Sequence, residues 1–275
     1  MASTNQIAPD DWDRHWKDLE DSSQVNPAQE YRRQLVLLNL DFDTVYDARV
    51  LDIGSGLGDF LGMLHELYPR MRKLGLEFSE SGVEISRRRL PQVSFLQRDL
   101  IAGSDIPAEY QDFATHAVCS EVLEHVDDPV LLLKNARPYM ADGCQLVVTV
   151  PGGPRSHFDL HIGHREHFSP ARLRQVLTDA GFEVRYATGA GFPFFNLYRG
   201  LVILRGNRLI TEASEKPSLL LRFTSALFRI LFRLNISNSS LGWQTLAVAS
   251  KQEFPSPPVS VDHGDRTKIK ASEVR

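Results

Sequence analysis

Residues 119–128 read CSEVLEHVDD and place two carboxylates and an imidazole, Glu121, Glu124 and His125, within five positions. On a helical turn, positions i, i+3 and i+4 share one face, so the three side chains can converge. Two carboxylates and one imidazole suit a divalent ion such as Mg2+ or Mn2+. The same groups can instead contact a bound acceptor, take up its proton, or simply pack a helix start. A second constellation, SHFDLHIGHREHF at 156–168, spaces His161, His164 and His167 by three. Gly163 and the following Ser169-Pro170 read as loop more than helix, and equal spacing in a loop does not make a metal site. The candidates for a base or an acceptor contact are, in order, His164, His161 and His167. If a metal is present, one of them completes the Glu121/Glu124/His125 set.

A third stretch, VLDIGSGLGDF (50–60), puts Gly54, Gly56 and Gly58 between an apolar run and a helical pattern. Glycines there let the chain turn sharply and let a ligand approach the backbone. The dinucleotide fingerprint asks for a sixth-position glycine, where this chain has Asp59, and the Gly-Lys-Ser/Thr of a P-loop is absent. Three acids accompany the loop: Asp52 before it, Glu77 at the end of the next apolar run, and Asp99 after the third. A carboxylate at Glu77 suits a ribose diol, Asp99 can accept from an exocyclic amine, and Asp52 sits where a ligand's cation would be held.

The elements that must position these residues follow from periodicity. Apolar runs at 49–54, 73–78, 93–97, 116–120, 145–150, 183–188 and 243–250 read as strands, and helical patterns fall between them. The runs near 50, 117 and 147 are almost wholly apolar, as strands buried on both faces must be. Asp128-Pro129 and Ser169-Pro170 read as N-cap and N1 pairs, and Gly181 as a helix stop. Alternation at this spacing predicts an α/β, doubly wound, mostly parallel sheet, whose ligands bind beyond the carboxyl ends of the strands. All three acids lie there.

Taken together, Asp52-x-Gly54-x-Gly56-x-Gly58, Glu77, Asp99 and SEVLEHV resemble class I S-adenosylmethionine-dependent methyltransferases over residues 45–188 and 243–250. The resemblance implies a seven-stranded Rossmann-like sheet with a terminal antiparallel strand. It implies S-adenosylmethionine as cofactor, with Asp52 and the Gly54–Gly58 loop, including Ser55, at the methionine portion. Glu77 would meet the ribose and Asp99 with the Leu100 backbone the adenine, with Phe78 and Ser120 as further cofactor-binding residues. SEVLEHV is similar to ubiquinone-biosynthesis O-methyltransferases and small-RNA 2′-O-methyltransferases, in which these positions bind a metal beside the acceptor hydroxyl. Methyl transfer from a sulfonium is an in-line displacement that positioning largely accomplishes, so no catalytic residue is obligatory. The candidates for catalysis are His164, His125, Glu121 and His161, and for metal Glu121, Glu124 and His125.

Composition limits the alternatives. The 275 residues are 42% hydrophobic with a net charge of −4, ordinary for a soluble globular chain and unlike a basic nucleic-acid binder. The acidic balance disfavours an RNA acceptor relative to a small molecule. A non-catalytic scaffold on the same fold is disfavoured because the whole acid and glycine set is present. Cys119 and Cys144 sit in apolar runs and read as buried thiols. The N-terminal MASTNQIAPDDWDRHW reads as neither signal nor transit peptide, giving an expectation of cytoplasmic residence.

Residues 1–10 and 253–275 read as disordered, 11–45 as a helical cap with Tyr31 and Arg32 as weak pocket candidates, and 46–252 as the catalytic domain. Within that domain, 190–235 reads as a helical insertion or lid before the last strand. It carries seven basic residues (Arg199, Arg205, Arg208, Lys216, Arg222, Arg229, Arg233) against Glu212 and Glu215. Residues 218–234 form an apolar helical pattern with a cationic stripe, suited to packing on its own domain or to an anionic membrane surface. Such a segment fits an acceptor with an apolar part and an anionic or sugar part, as glycans, lipid-linked molecules and quinones have.

Overall fold

A computed structural model describes residues 11–19, 26–42, 47–103, 105–205 and 219–252. The expected disorder at 1–10 and 253–275 lies outside these residues, as do Arg208, Glu212, Glu215 and Lys216. The side chains of Arg205 and Arg222 are likewise outside the described set.

Seven strands form one sheet in the order β3-β2-β1-β4-β5-β7-β6. They are β1 (Arg49–Ile53), β2 (Arg72–Glu77), β3 (Ser94–Gln97), β4 (Ala114–Ser120), β5 (Met140–Pro151), β6 (Phe182–Ala190) and β7 (Gln244–Lys251). Strands β1 to β5 pair in parallel, and β7 is antiparallel to both β5 and β6. All seven expected strands are present. β5 begins at Met140, earlier than its apolar run at 145, because Met140 also pairs with Ala114.

Alternation along each strand divides the core in two. Leu51, Ile53, Ala117, Cys119, Leu146 and Val148 face one layer, with Leu132, Leu133, Leu173 and Val176 packed on them. Val50, Val118, Val147, Leu246 and Val248 face the other. The helices of the domain are α3 (Asp59–Leu67), α4 (Glu80–Arg89), α5 (Pro129–Ala136), α6 (His157–His161) and α7 (Pro170–Asp179). Asp128 and Ser169 cap α5 and α7 as expected, accepting from Leu131 N and Arg172 N, with Pro129 and Pro170 next.

Two further helices, α1 (Trp12–Leu19) and α2 (Pro27–Leu37), precede β1, and α8 (Phe194–Arg205) and α9 (Leu219–Phe232) lie between β6 and β7. α9 falls in the 218–234 helical pattern, and α8 lies in the first part of the 190–235 helical insertion, where no individual helix was placed. The insertion is anchored on one face. Phe232 packs against Tyr31 (5.3 Å between ring centroids) and Phe195 (5.8 Å), Phe228 meets Tyr198 (5.2 Å), and Arg229 pairs with Glu30 at 2.7 Å. Phe228 and Phe232 are buried, each contributing on the order of 1.5–3 kcal/mol.

Candidate functional site

The switch in strand order falls between β1 and β4, and the candidate residues collect around its carboxyl edge. On the β1/β2 side, Gly54 N and Ser55 N both bond Leu76 O, which holds the glycine loop against β2. Gly54 and Gly56 adopt φ +71° and +52°, and a Cβ on either would lie 2.4 Å from Val122 or 2.8 Å from Trp16. Glycine is therefore required at both. Glu77 is buried, its Oε2 accepting from Gly56 N (2.8 Å) and its Oε1 from Ser79 N (3.0 Å) and Trp16 Nε1 (3.4 Å). Burial pushes its carboxyl upward, and the backbone hydrogen bonds oppose that.

Asp52 is 4% exposed. Burial, then the Glu77 and Asp59 carboxylates, push it up to about 7. Such a group gains from a ligand cation. Asp99 Oδ1 accepts from Ile101 N and Ala102 N, which shapes the turn after β3 and leaves its other oxygen for an acceptor role. Leu100 is buried beside it, Phe78 is half exposed, and the Ser120 hydroxyl shares a 2.8 Å hydrogen bond with Thr149. The Ser55 hydroxyl is buried with no hydrogen-bond partner.

On the β4/β5 side the expected grouping changes. β4 exits through Glu121 at φ +58°, and the turn that follows is a 3-10 helix over Leu123–His125. Glu121 therefore does not share a helical face with Glu124 and His125. Its carboxylate pairs with Arg32 Nε (3.0 Å) and accepts from Gln244 Nε2 (2.7 Å), tying β4 to α2 and β7. The structure instead draws Glu124, His125 and His164 together, with ligand atoms within 4.8 Å of one another.

Glu124 is fully buried, and neither of its oxygens, nor His125 Nδ1, has a hydrogen-bond partner. A bare carboxylate there is untenable; burial and then Glu121 push it well above the usual range. His125 is pulled down to about 4 by burial, with His15 adding to the effect. Burial, then His125, hold His164 far below the usual imidazole range. Both rings are neutral, able to ligate or to accept a proton.

His164 is reached from α6. Ser156 and Asp159 form a reciprocal capping box there, and Asp159 accepts two bonds from Arg199 Nη2 at 2.9 and 3.0 Å. His167 joins His164 at 3.1 Å. His161, at the end of α6, is exposed and separate from the cluster.

Two residues escaped the sequence reading. Trp16 of α1 lies over Gly56 and Gly82 and donates to Glu77, while Trp12 packs edge-on against His125 at 4.7 Å. α1 thus spans the glycine-loop side and the imidazole side. The only sequence signal was the i, i+4 spacing in WDRHW, which does not say what the face covers.

A protein family described as "Methyltransferase domain" matches residues 26–187, more than half the chain. The chain belongs to this family. It is an S-adenosylmethionine-dependent methyltransferase of class I.

Among curated relatives, a trans-aconitate 2-methyltransferase of Azoarcus sp. (strain BH72) is 28% identical over 172 residues, covering 52% of this chain and 68% of that one. A second, from Methylobacterium nodulans, is 32% identical and covers 52% of this methyltransferase and 49% of the relative. This chain thus matches between about half and two thirds of these relatives' length. A ubiquinone biosynthesis O-methyltransferase of Aeromonas salmonicida is 24% identical over 67% of this chain and 83% of its own. In fold, a Haloferax volcanii methyltransferase solved with the Trm112 activator superposes with TM-score 0.60 at 18% identity, covering 90% of this chain and 100% of that one.

Proposed function

We propose that this methyltransferase transfers the methyl group to a hydroxyl of a small-molecule acceptor held at Glu124, His125 and His164. The observation that carries this reading is Glu124, fully buried with both carboxylate oxygens unpartnered beside two neutral imidazoles. A methyl acceptor on nitrogen or carbon has less use for such a set than a hydroxyl, whose proton must be removed.

The Gly54–Gly58 loop, Asp52, Glu77 and Asp99 would hold S-adenosylmethionine, with Asp52 near its cationic end. The orphaned atoms of Glu124 and His125 also fit a divalent ion, with His164 as third ligand. A carboxylate with two imidazoles weights that set toward Mn2+ or Zn2+ over Mg2+. Bound there, the ion would lower the pKa of the acceptor hydroxyl. In its absence the hydroxyl proton would pass to a neutral imidazole of the cluster, a base that burial weakens. Glu121, paired with Arg32, would orient the wall of the pocket and stays outside the ligand set.

Trans-aconitate, named for two of the relatives and offering only carboxylate oxygens, is the contrasting acceptor to set beside hydroxyl-bearing small molecules. An acceptor screen with labelled S-adenosylmethionine, run with and without EDTA, tests the reading. Methyl ether products support it; transfer only to carboxylates, amines or carbon would sink it. EDTA sensitivity separates the metal form from the imidazole form.

An apolar part of the acceptor is consistent with a second feature. Leu197, Leu201 and Leu204 on α8 and Phe223, Leu227 and Ile230 on α9 are exposed, Leu204 at 84% and Phe223 at 70%. At ~100° per residue, the α9 trio lies within an arc of ~60°, opposite buried Phe228 and Phe232. Arg233 and Arg229 lie together to one side of that arc, Arg229 being paired with Glu30, in a segment with an excess of basic residues. We infer that these helices rest on an anionic lipid surface and that the acceptor is drawn from it. No described helix is long and apolar enough to cross a membrane.

A further inference from the structure

The cluster around His164 contains information about where protons sit, and it follows from donor and acceptor chemistry alone. His167 Nδ1 lies 3.2 Å from Gly153 O. A carbonyl oxygen only accepts, so that nitrogen carries a hydrogen. The other nitrogen of His167, Nε2, lies 3.1 Å from His164 Nδ1. Two ring nitrogens at this distance share one proton: one donates and the other presents its lone pair.

Two arrangements satisfy that contact. In the first, His167 is neutral, its Nε2 accepts, and His164 carries its proton on Nδ1. In the second, His167 is an imidazolium, donating from both nitrogens, and His164 carries its proton on Nε2. The second buries a cation that would need a carboxylate of its own. Asp159 is the only carboxylate described within 4 Å of the pair, at 3.8 Å from His164 Nδ1 and 3.9 Å from His167 Nε2. Both its oxygens already accept from Arg199, and Oδ2 also accepts from Ser156 N and Oγ at 2.7 Å. Its charge is spent on the guanidinium.

We propose that His167, keyed by the Gly153 carbonyl and backed by the Asp159–Arg199 pair, is a positioning residue that fixes His164 as its Nδ1–H tautomer. Nε2 of His164 is then the nitrogen left with a lone pair for the Glu124/His125 group, whether it holds a metal ion or takes a hydroxyl proton. Arg199 belongs to α8, so the insertion before the last strand acts on the chemistry through Asp159. Outer partners of this kind usually set the tautomer of a ligating histidine.

The inference rests on the proposed role of His164, and its test is read on ring nitrogens instead of on turnover. The full chain, labelled with 15N and free of metal, is examined by long-range proton–nitrogen correlation, with His164 assigned by its absence in His164→Gln. The expected spectrum shows His164 Nδ1 protonated and Nε2 unprotonated. In His167→Phe the acceptor is gone, and the Nε2–H form becomes the major one. In His167→Gln the side-chain amide oxygen can accept in its place, and the wild-type tautomer returns. Mn2+ alone, followed by its electron spin resonance signal, then binds His167→Phe roughly 10–100-fold more weakly than wild type, with recovery in His167→Gln. Protonated Nε2 in the wild type, or an unchanged tautomer in His167→Phe, overturns the proposal. The expected tautomers with no Mn2+ bound by wild type leave the proposal standing and remove the metal form of the function.

Discussion

At the residue scale, buried carboxylates set the chemistry. Asp52 is held near 7 by burial and by two acidic neighbours, so without ligand it is largely protonated below that pH. The cationic end of S-adenosylmethionine needs it ionised. Affinity should therefore rise as pH rises from about 5 and level off above about 7.5, and calorimetry near pH 6 should record proton release on binding. Asp52→Asn should bind weakly at every pH and lose that slope. Glu124 has the same sign of shift. Its folded form keeps a proton that the unfolded chain gives up above about 4.3, so in the metal-free protein it costs stability increasingly as pH climbs past that value. Glu124→Gln should flatten this slope and leave the melting temperature at pH 7 equal or higher, while abolishing any stabilisation by Mn2+. A fall in stability with the Mn2+ response intact would remove Glu124 from the ligand set.

At the element scale, the cap helices and the insertion each contribute one side of the site. α1 brings Trp16 over the glycine loop and Trp12 onto His125, while α2 brings Arg32 to Glu121. α8 brings Arg199 to Asp159. α9 is the least accounted for, since it is apolar on the face buried against α2 and also on the face that meets solvent. A helix apolar on both faces is unusual in water. The double variant Leu227→Glu, Ile230→Glu, which alters only exposed positions, should keep methyl transfer to a water-soluble acceptor. It should also lose co-flotation with vesicles containing anionic lipid, and wild-type flotation should weaken in high salt. Equal recovery of both proteins with neutral and anionic vesicles would remove the lipid surface as the partner of this face.

At the scale of the whole molecule, the site straddles the sheet's switch point, so cofactor binding should be felt by the entire fold. S-adenosylmethionine at 100 times its dissociation constant adds about 2.7 kcal/mol, or a rise in melting temperature of roughly 5–10 °C for a domain of this size. No rise would leave a methyltransferase fold without a working cofactor site. The sequence by itself carried the strands, the helix caps at Asp128 and Ser169, the glycine loop and its three acids, and the family they resemble. These are local signals: a buried parallel strand must be apolar throughout, and a cap or a sharp turn admits few residue types. It also named the residues of the acceptor side, but grouped them by an assumed helical turn. Tertiary structure decided otherwise there. Glu121 turns through a positive φ onto Arg32 of α2, and His164, forty-odd positions downstream, takes its place because α6 and Arg199 deliver it. Spacing along the chain describes neighbours within one element, whereas this cluster joins side chains from separate segments. Which of them meet is fixed only when β4, β5 and the insertion pack together.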